Sequence, residues 1–167
     1  MRSHKIDRNM KAKWMSNFES RLNELGIELP EAPAPAANYV PYVISGNLVF
    51  VSGQISQDEN GRVCGKLGGD FTVEQGQAAA RLCALSLIAQ VKAACEGDLS
   101  RLKRVVKLTG FVNCTPDFGD HPVVINGASD LMADVFGDAG KHARAAVGSS
   151  SLPLGVAVEI EGIFEIS

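Results

Sequence analysis

Apolar and polar positions recur along this chain with two periods, one near two residues and one near 3.6. Tyr42 to Gln54 carries β-branched and aromatic residues on either side of Gly46-Asn47. That is the chemistry of a tight turn and predicts two antiparallel strands. Thr72-Val73-Glu74-Gln75 has capping-box spacing, and the Ala- and Leu-rich run after it reaches Glu96 before Gly97. A helix of about two dozen residues is predicted, with Gly97 at C′ and with Ala78 to Ala80, Ala84 and Ala89 allowing close packing on a sheet. Arg104 to Asn113 is again β-rich and is closed by the turn Thr115-Pro116-Asp117. Asp120 ahead of Pro122 opens a second helical face made of Val124, Leu131 and Val135, which stops at Gly137. Arg144 to Gly148 and Gly155 to Glu165 read as the last strands, separated by Ser149 to Pro153.

Upstream, Ser16-Asn17-Phe18-Glu19 is a second capping-box signature, and Phe18, Leu22 and Leu25 form a short amphipathic helix ended by Gly26. Pro30, Pro33 and Pro35 then forbid regular helix and favour an extended connector leading to Tyr39, Pro41 and Tyr42. The order is an N-terminal helix followed by β-β-α-β-α-β-β. This predicts an α+β fold, a mixed sheet with two helices on one face. Residues 1–38 form the tail, short helix and connector, and 39–167 the folded domain.

Composition narrows the function. With 167 residues, 46% hydrophobic and 21% charged, the chain suits one core. The net charge of −3 and the scattered basic residues, beyond a short Lys103, Arg104, Lys107 cluster, give no footprint for nucleic acid. Cys64, Cys83, Cys95 and Cys114 lack metal-ligand spacing and are expected to be buried free thiols in a reducing compartment. No apolar run approaches the roughly 18 residues of a membrane span. Met1 to Lys13 is basic and polar without an apolar core, so a cytoplasmic protein is expected. Gly65 and Gly68-Gly69 lack the Lys-Ser/Thr of a phosphate loop and read as turn glycines. Ser149-Ser150-Ser151 lacks a nucleophile-elbow pattern and reads as a loop. Cys114 has no evident base partner in the sequence.

The chemistry concentrates near the C-terminus. His142-Ala143-Arg144 and Val158-Glu159-Ile160-Glu161 place one arginine and two glutamates inside strand-like apolar sequence. Burying such charges costs several kcal/mol unless they are paired or held for a ligand. His142, two residues from Arg144, is the histidine nearest the candidate site.

Pro41-Tyr42, Ser52-Gly53-Gln54-Ile55, Val105-Val106-Lys107, Ala143-Arg144 and Leu152-Pro153 leading into Val158-Glu159-Ile160-Glu161, in this order, resemble the YjgF/RidA family, also known as endoribonuclease L-PSP or chorismate-mutase-like. The resemblance runs from about Tyr39 to the C-terminus. It implies a homotrimer of chorismate-mutase-like subunits with clefts at the subunit interfaces. The reaction it implies is hydrolysis of reactive enamines and imines to keto acids and ammonia, with no cofactor and no metal. Carried over by position, the carboxylate-binding arginine falls on Arg144, the water-positioning glutamate on Glu159 and the cleft tyrosine on Tyr42, while Gly53 and Asn126 match other substrate-contacting positions. The partners implied are a small carboxylate and two further copies of the chain, without nucleic acid or membrane. Where better-known members carry Ser or Thr and often Cys, this chain has Ala145 and Ala146.

Residue chemistry leaves alternatives beside these roles. Arg144 can form a structural ion pair with Glu159 or Glu161, which share a strand face by period two. The choice of Glu159 over Glu161 comes from the resemblance. Tyr42 can serve interface packing, and Asn126 can be a surface or capping group. A keto-acid-binding protein without turnover is the alternative function, and a ribonuclease is the third, disfavoured by the acidic charge.

Overall fold

A computed structural model of the chain describes residues 17–34 and 38–167. The basic N-terminal residues 1–13, the expected cap Ser16 and connector residues 35–37 lie outside the described residues. Helix α1 covers residues 17–24. It is followed by strands β1 (Tyr42–Ser45) and β2 (Leu48–Ile55), a small hairpin β3 (Gln57–Asp58) and β4 (Gly61–Arg62), helix α2 (Val73–Ala94), β5 (Leu102–Asn113), helix α3 (His121–Phe136), β6 (Ala143–Ser149) and β7 (Val158–Ile166).

The predicted hairpin forms with a two-residue turn: Ser45 lies opposite Leu48 and Tyr42 opposite Val51, with Gly46 at φ 63°. Its left-handed backbone is why glycine suits that turn. The β3–β4 hairpin was not predicted, because two-residue strands carry no readable period. Its turn closes through Asp58 Oδ1, which accepts from the Asn60 N–H at 2.8 Å.

Five strands make the main sheet in the order β1-β2-β7-β5-β6. Neighbours are antiparallel except β5 and β6, which run parallel and are joined through α3. Helices α2 and α3 pack against each other and cover one face. Val49 and Val51 of β2, Leu108 and Val112 of β5, and Val158, Ile160 and Phe164 of β7 point into that layer and are buried. Each such side chain contributes about 1.5–3 kcal/mol by leaving water. The alternate positions, among them Phe50, Glu159, Glu161 and Ile163, face the other side, which no described helix covers. The expectation of an α+β mixed sheet with two helices on one face therefore holds.

The capping box at α2 is present: Thr72 Oγ1 accepts from the Gln75 N–H at 3.2 Å, and Gln75 Oε1 accepts from the Thr72 N–H at 2.8 Å. The other end corrects the sequence reading. Cys95 is the C-cap and Glu96, at φ 56°, occupies C′, so Gly97 at φ 86° is one place further along. The Glu96 N–H donates to Ala93 O and the Gly97 N–H to Lys92 O, the paired bonds of a Schellman motif.

Helix α1 docks on the helix layer. Phe18 meets Phe136 edge-on at 4.9 Å, Arg21 Nε donates to Asp134 O at 2.8 Å, and Lys92 pairs with Glu19 at 2.8 Å. Leu22 is buried in the common core. The connector then crosses α2, where Gln90 Nε2 donates to Pro33 O at 2.6 Å, and runs toward the end of the sheet that holds Glu159.

Candidate functional site

The expected site residues fall into two groups. Register sets which face each occupies. Arg144 on β6 lies beside Leu108, whose side chain enters the helix layer, so Arg144 shares that side at the sheet's edge. Glu159 on β7 lies beside Phe111 on β5 and Ile55 on β2, on the face away from the helices. Arg144 and Glu159 are therefore on opposite faces, with β5 between their strands. The alternative role for Arg144, a structural ion pair with Glu159 or Glu161, does not form for this reason. Among the described residues no carboxylate pairs with Arg144.

The Arg144 guanidinium is half-buried against α3 and held by neutral acceptors. Nη1 donates to Asn126 Oδ1 at 2.8 Å and to Ser129 Oγ at 3.1 Å, and Nη2 donates to Pro122 O at 3.4 Å. These bonds orient the cation without cancelling its charge. Asn126, one of the expected residues, thus stands directly on Arg144. The guanidinium opens on a pocket of about 350 Å³ lined also by Lys141 and His142.

Glu159 lines a separate cavity of about 260 Å³ with Tyr39, Gly53, Arg62 and Leu154, and the connector residues Pro33 and Ala34 form part of its wall. Burial pushes its carboxyl above the usual carboxylate range, and the charge of Glu161 on the same face pushes it further. Ser52 and Gly53 form a bulge: β2 and β7 are in register at Val51 and Gly162 and again at Gln54 and Ile160, so two residues oppose Glu161 alone. A Cβ on Gly53 would overlap the Glu159 carboxylate. The glycine is there to let that carboxyl lie against the β2 backbone. Leu154, at φ 62° and 57% exposed, holds its apolar side chain at the rim of this cavity in a conformation that glycine usually occupies.

Tyr42 is not among the residues lining this cavity. Its partner Val51 faces the helices, and Tyr42 packs against the core on that side. Tyr39 is the tyrosine at the cavity. The two-residue turn fixes the Tyr42–Val51 register, so this facing could have been derived from the sequence. Sequence reasoning also missed Ser129, whose only signal was its place one turn from Asn126, and Arg62, which lies on the unpredicted hairpin.

Two cysteine expectations are corrected. Cys64 is exposed rather than buried, because it follows the short β4 at the surface. Cys114 does have an imidazole neighbour: its Sγ lies 3.4 Å from His121 Nε2. The absence of a side chain on Gly148 makes the room, since a Cβ there would overlap both groups. Cys114 is only 7% exposed, and neither residue lines the Arg144 or Glu159 cavities.

A five-stranded mixed sheet with its helices on one face, a guanidinium without a carboxylate partner on the edge strand, and a cavity on the bare face that holds both Glu159 and Arg62 define a small α+β protein with a pocket on each side of its sheet. Its residues 19–163 match the family model described as "YjgF/chorismate mutase-like, putative endoribonuclease", and the chain belongs to this YjgF/RidA family. It is 53% identical over 150 residues to protein TCP17 of Trypanosoma cruzi, covering 89% of this chain and 93% of that one. It is 32% identical over 140 residues to a 2-iminobutanoate/2-iminopropanoate deaminase of Dermatophagoides farinae, covering 84% and 94% respectively. Among solved structures, the Agrobacterium tumefaciens protein Atu1372, of unknown function, superposes with a TM-score of 0.85 at 50% identity over 93% of this chain and 97% of that one. Among the described residues, no helix is long and apolar enough to cross a membrane.

Proposed function

We propose that this protein hydrolyses 2-imino acids to keto acids and ammonia, in clefts that each join the Arg144 pocket of one subunit to the Glu159 cavity of the next in a cytoplasmic homotrimer. The observation that carries this reading is the separation itself. A cation that can hold a carboxylate and a carboxyl that can move protons occupy opposite faces of one sheet, so a second copy is needed to bring them together. The named activity of the Dermatophagoides relative supports the chemistry. Val43, Phe50 and Val147, all exposed on strands of the main sheet, supply apolar surface for contact between copies.

In this mechanism the guanidinium grips the substrate carboxylate and fixes the imine carbon in the cleft. Glu159 takes a proton from water as its oxygen bonds to that carbon, giving a carbinolamine. The carboxyl returns that proton to nitrogen, then takes the proton of the new hydroxyl and passes it to the amino group as the C–N bond breaks, so that ammonia leaves as the C=O forms. Imine and water thus become keto acid and ammonia, with Glu159 regenerated and no cofactor or metal required. A carboxyl held above its usual range suits a group that both accepts and donates a proton. Gly53 lets Glu159 reach this position, Asn126 orients Arg144, and Tyr39 and Leu154 wall the cavity; Tyr42 acts through the packing of β1.

The test is release of ammonia and keto acid from 2-imino acids generated in situ by an amino-acid oxidase. Wild type accelerates release, and Arg144→Ala lowers kcat/KM by about a hundredfold, the loss expected for removing a charged anchor. An Arg144→Ala variant with full activity contradicts the assignment. The second reading, a keto-acid-binding protein without turnover, is favoured by Ala145 and Ala146, which bring no hydroxyl or thiol to the edge strand. It gains if wild type binds keto acid saturably and accelerates nothing. The endoribonuclease reading predicts cleavage of single-stranded RNA, which the net charge of −3 disfavours.

A further inference from the structure

The Arg144 side chain ends a hydrogen-bonded chain that starts in the loop before β6. His142 Nδ1 lies 2.6 Å from Gly140 O. A carbonyl only accepts, so the ring proton sits on Nδ1. In the neutral ring Nε2 is then an acceptor, and its neighbour at 3.0 Å is Ser129 Oγ. The Ser129 hydroxyl therefore donates to His142 and keeps a lone pair for Arg144 Nη1 at 3.1 Å. Asn126 Oδ1 takes the second hydrogen of Nη1 at 2.8 Å, which saturates that nitrogen. Pro122 O takes one hydrogen of Nη2. Among the described residues Nε–H and the second hydrogen of Nη2 have no protein acceptor. The nearby ammonium of Lys141 is held by Asp138 at 2.8 Å.

We propose that Ser129 and His142 are positioning residues that lock the Arg144 guanidinium by its Nη1 corner, so that its Nε–Nη2 edge is the fork offered to a ligand carboxylate. This rests on the reading of Arg144 as the carboxylate site. A helical serine ordinarily turns its hydroxyl back to a carbonyl of the preceding turn. His142 draws the hydroxyl away from α3 and across to the loop, which fixes where the Ser129 lone pair points. Without that acceptor the hydroxyl rotates, Nη1 loses one of its two anchors, and the fork no longer holds one orientation. The arrangement selects ligands with a planar two-oxygen anion lying edge-on to the guanidinium, and it ties the grip to the loop carrying Gly140.

The experiment titrates pyruvate, the simplest 2-keto acid, into wild type, Ser129→Ala, His142→Leu and His142→Gln, with thermal midpoints measured alongside. Ser129→Ala and His142→Leu are expected to weaken pyruvate binding about tenfold or more, the consequence of freeing one charge-assisted bond. In imine hydrolysis the same loss falls on KM rather than kcat. His142→Gln, whose amide oxygen can stand at the place of Nε2, is expected to recover most of the affinity, which a purely space-filling role does not predict. Wild-type affinity in Ser129→Ala overturns the proposal, as does His142→Gln binding as poorly as His142→Leu. Should His142→Leu fail to fold, Ser129→Ala decides alone, because it removes only the hydroxyl. If wild type binds no pyruvate, the carboxylate reading of Arg144 fails and this proposal falls with it; wild-type binding with unaffected variants overturns the positioning role alone.

Discussion

Glu159 holds its proton more tightly than an ordinary glutamate, first because it is half-buried on the sheet and second because Glu161 stands beside it. Over the pH interval between the unfolded carboxylate value, about 4.3, and its raised folded value, the native chain keeps a proton that the unfolded chain has lost. The stabilisation this provides is complete below the interval and disappears as pH rises through it. Glu159→Gln, which cannot ionise, should therefore melt above wild type at pH 7 and converge with it near pH 4, while losing imine hydrolysis. Thermal melts at the two pH values check this; a variant less stable than wild type at pH 7 contradicts the assigned burial. The choice between Glu159 and Glu161 was not legible in the sequence, because period two puts both on one face. What separates them is the bulge at Ser52-Gly53, which makes room for the Glu159 carboxyl, and the glycine that permits it.

At the level of elements, the strong local signals formed as read: the two-residue turn at Gly46-Asn47, the Thr72–Gln75 capping box, and the stop of α3 at Gly137, which is its C-cap. Elements failed where they were too short for a period, as in β3 and β4, or where a glycine was credited one position early. The end of α2 shows the second case. Glu96 rather than Gly97 bears the C′ position, and a non-glycine residue there carries about 1 kcal/mol of left-handed strain. Glu96→Gly should relieve it and raise Tm by about 2–4 °C; an unchanged or lower Tm shows that the Glu96 side chain compensates. The facing of Tyr42 was derivable from turn and register, yet positional resemblance pointed to it as the cleft tyrosine. Register puts its side chain on the core side and leaves the cavity to Tyr39.

For the molecule as a whole, the fold class followed from element order, whereas the placement of the site did not. Ala143-Arg144-Ala145-Ala146-Val147-Gly148 has no alternation of large apolar and polar residues, so nothing in it says which side of the sheet Arg144 takes. Pairing with Leu108 puts it on the helix side, away from Glu159. In the proposed trimer, one chain holds two halves of a site that only neighbouring copies complete. Co-expressing Arg144→Ala and Glu159→Gln chains with different tags, then purifying the mixed oligomers, tests it most directly. Each variant alone is expected to keep about a hundredth of the wild-type activity or less. Every mixed trimer, whichever chain it holds twice, has one cleft in three that receives an intact arginine from one chain and an intact glutamate from its neighbour, so imine hydrolysis should return to about a third of the wild-type rate. Mixed oligomers no more active than either parent would contradict the shared site, because a site contained within one chain always carries one of the two lesions.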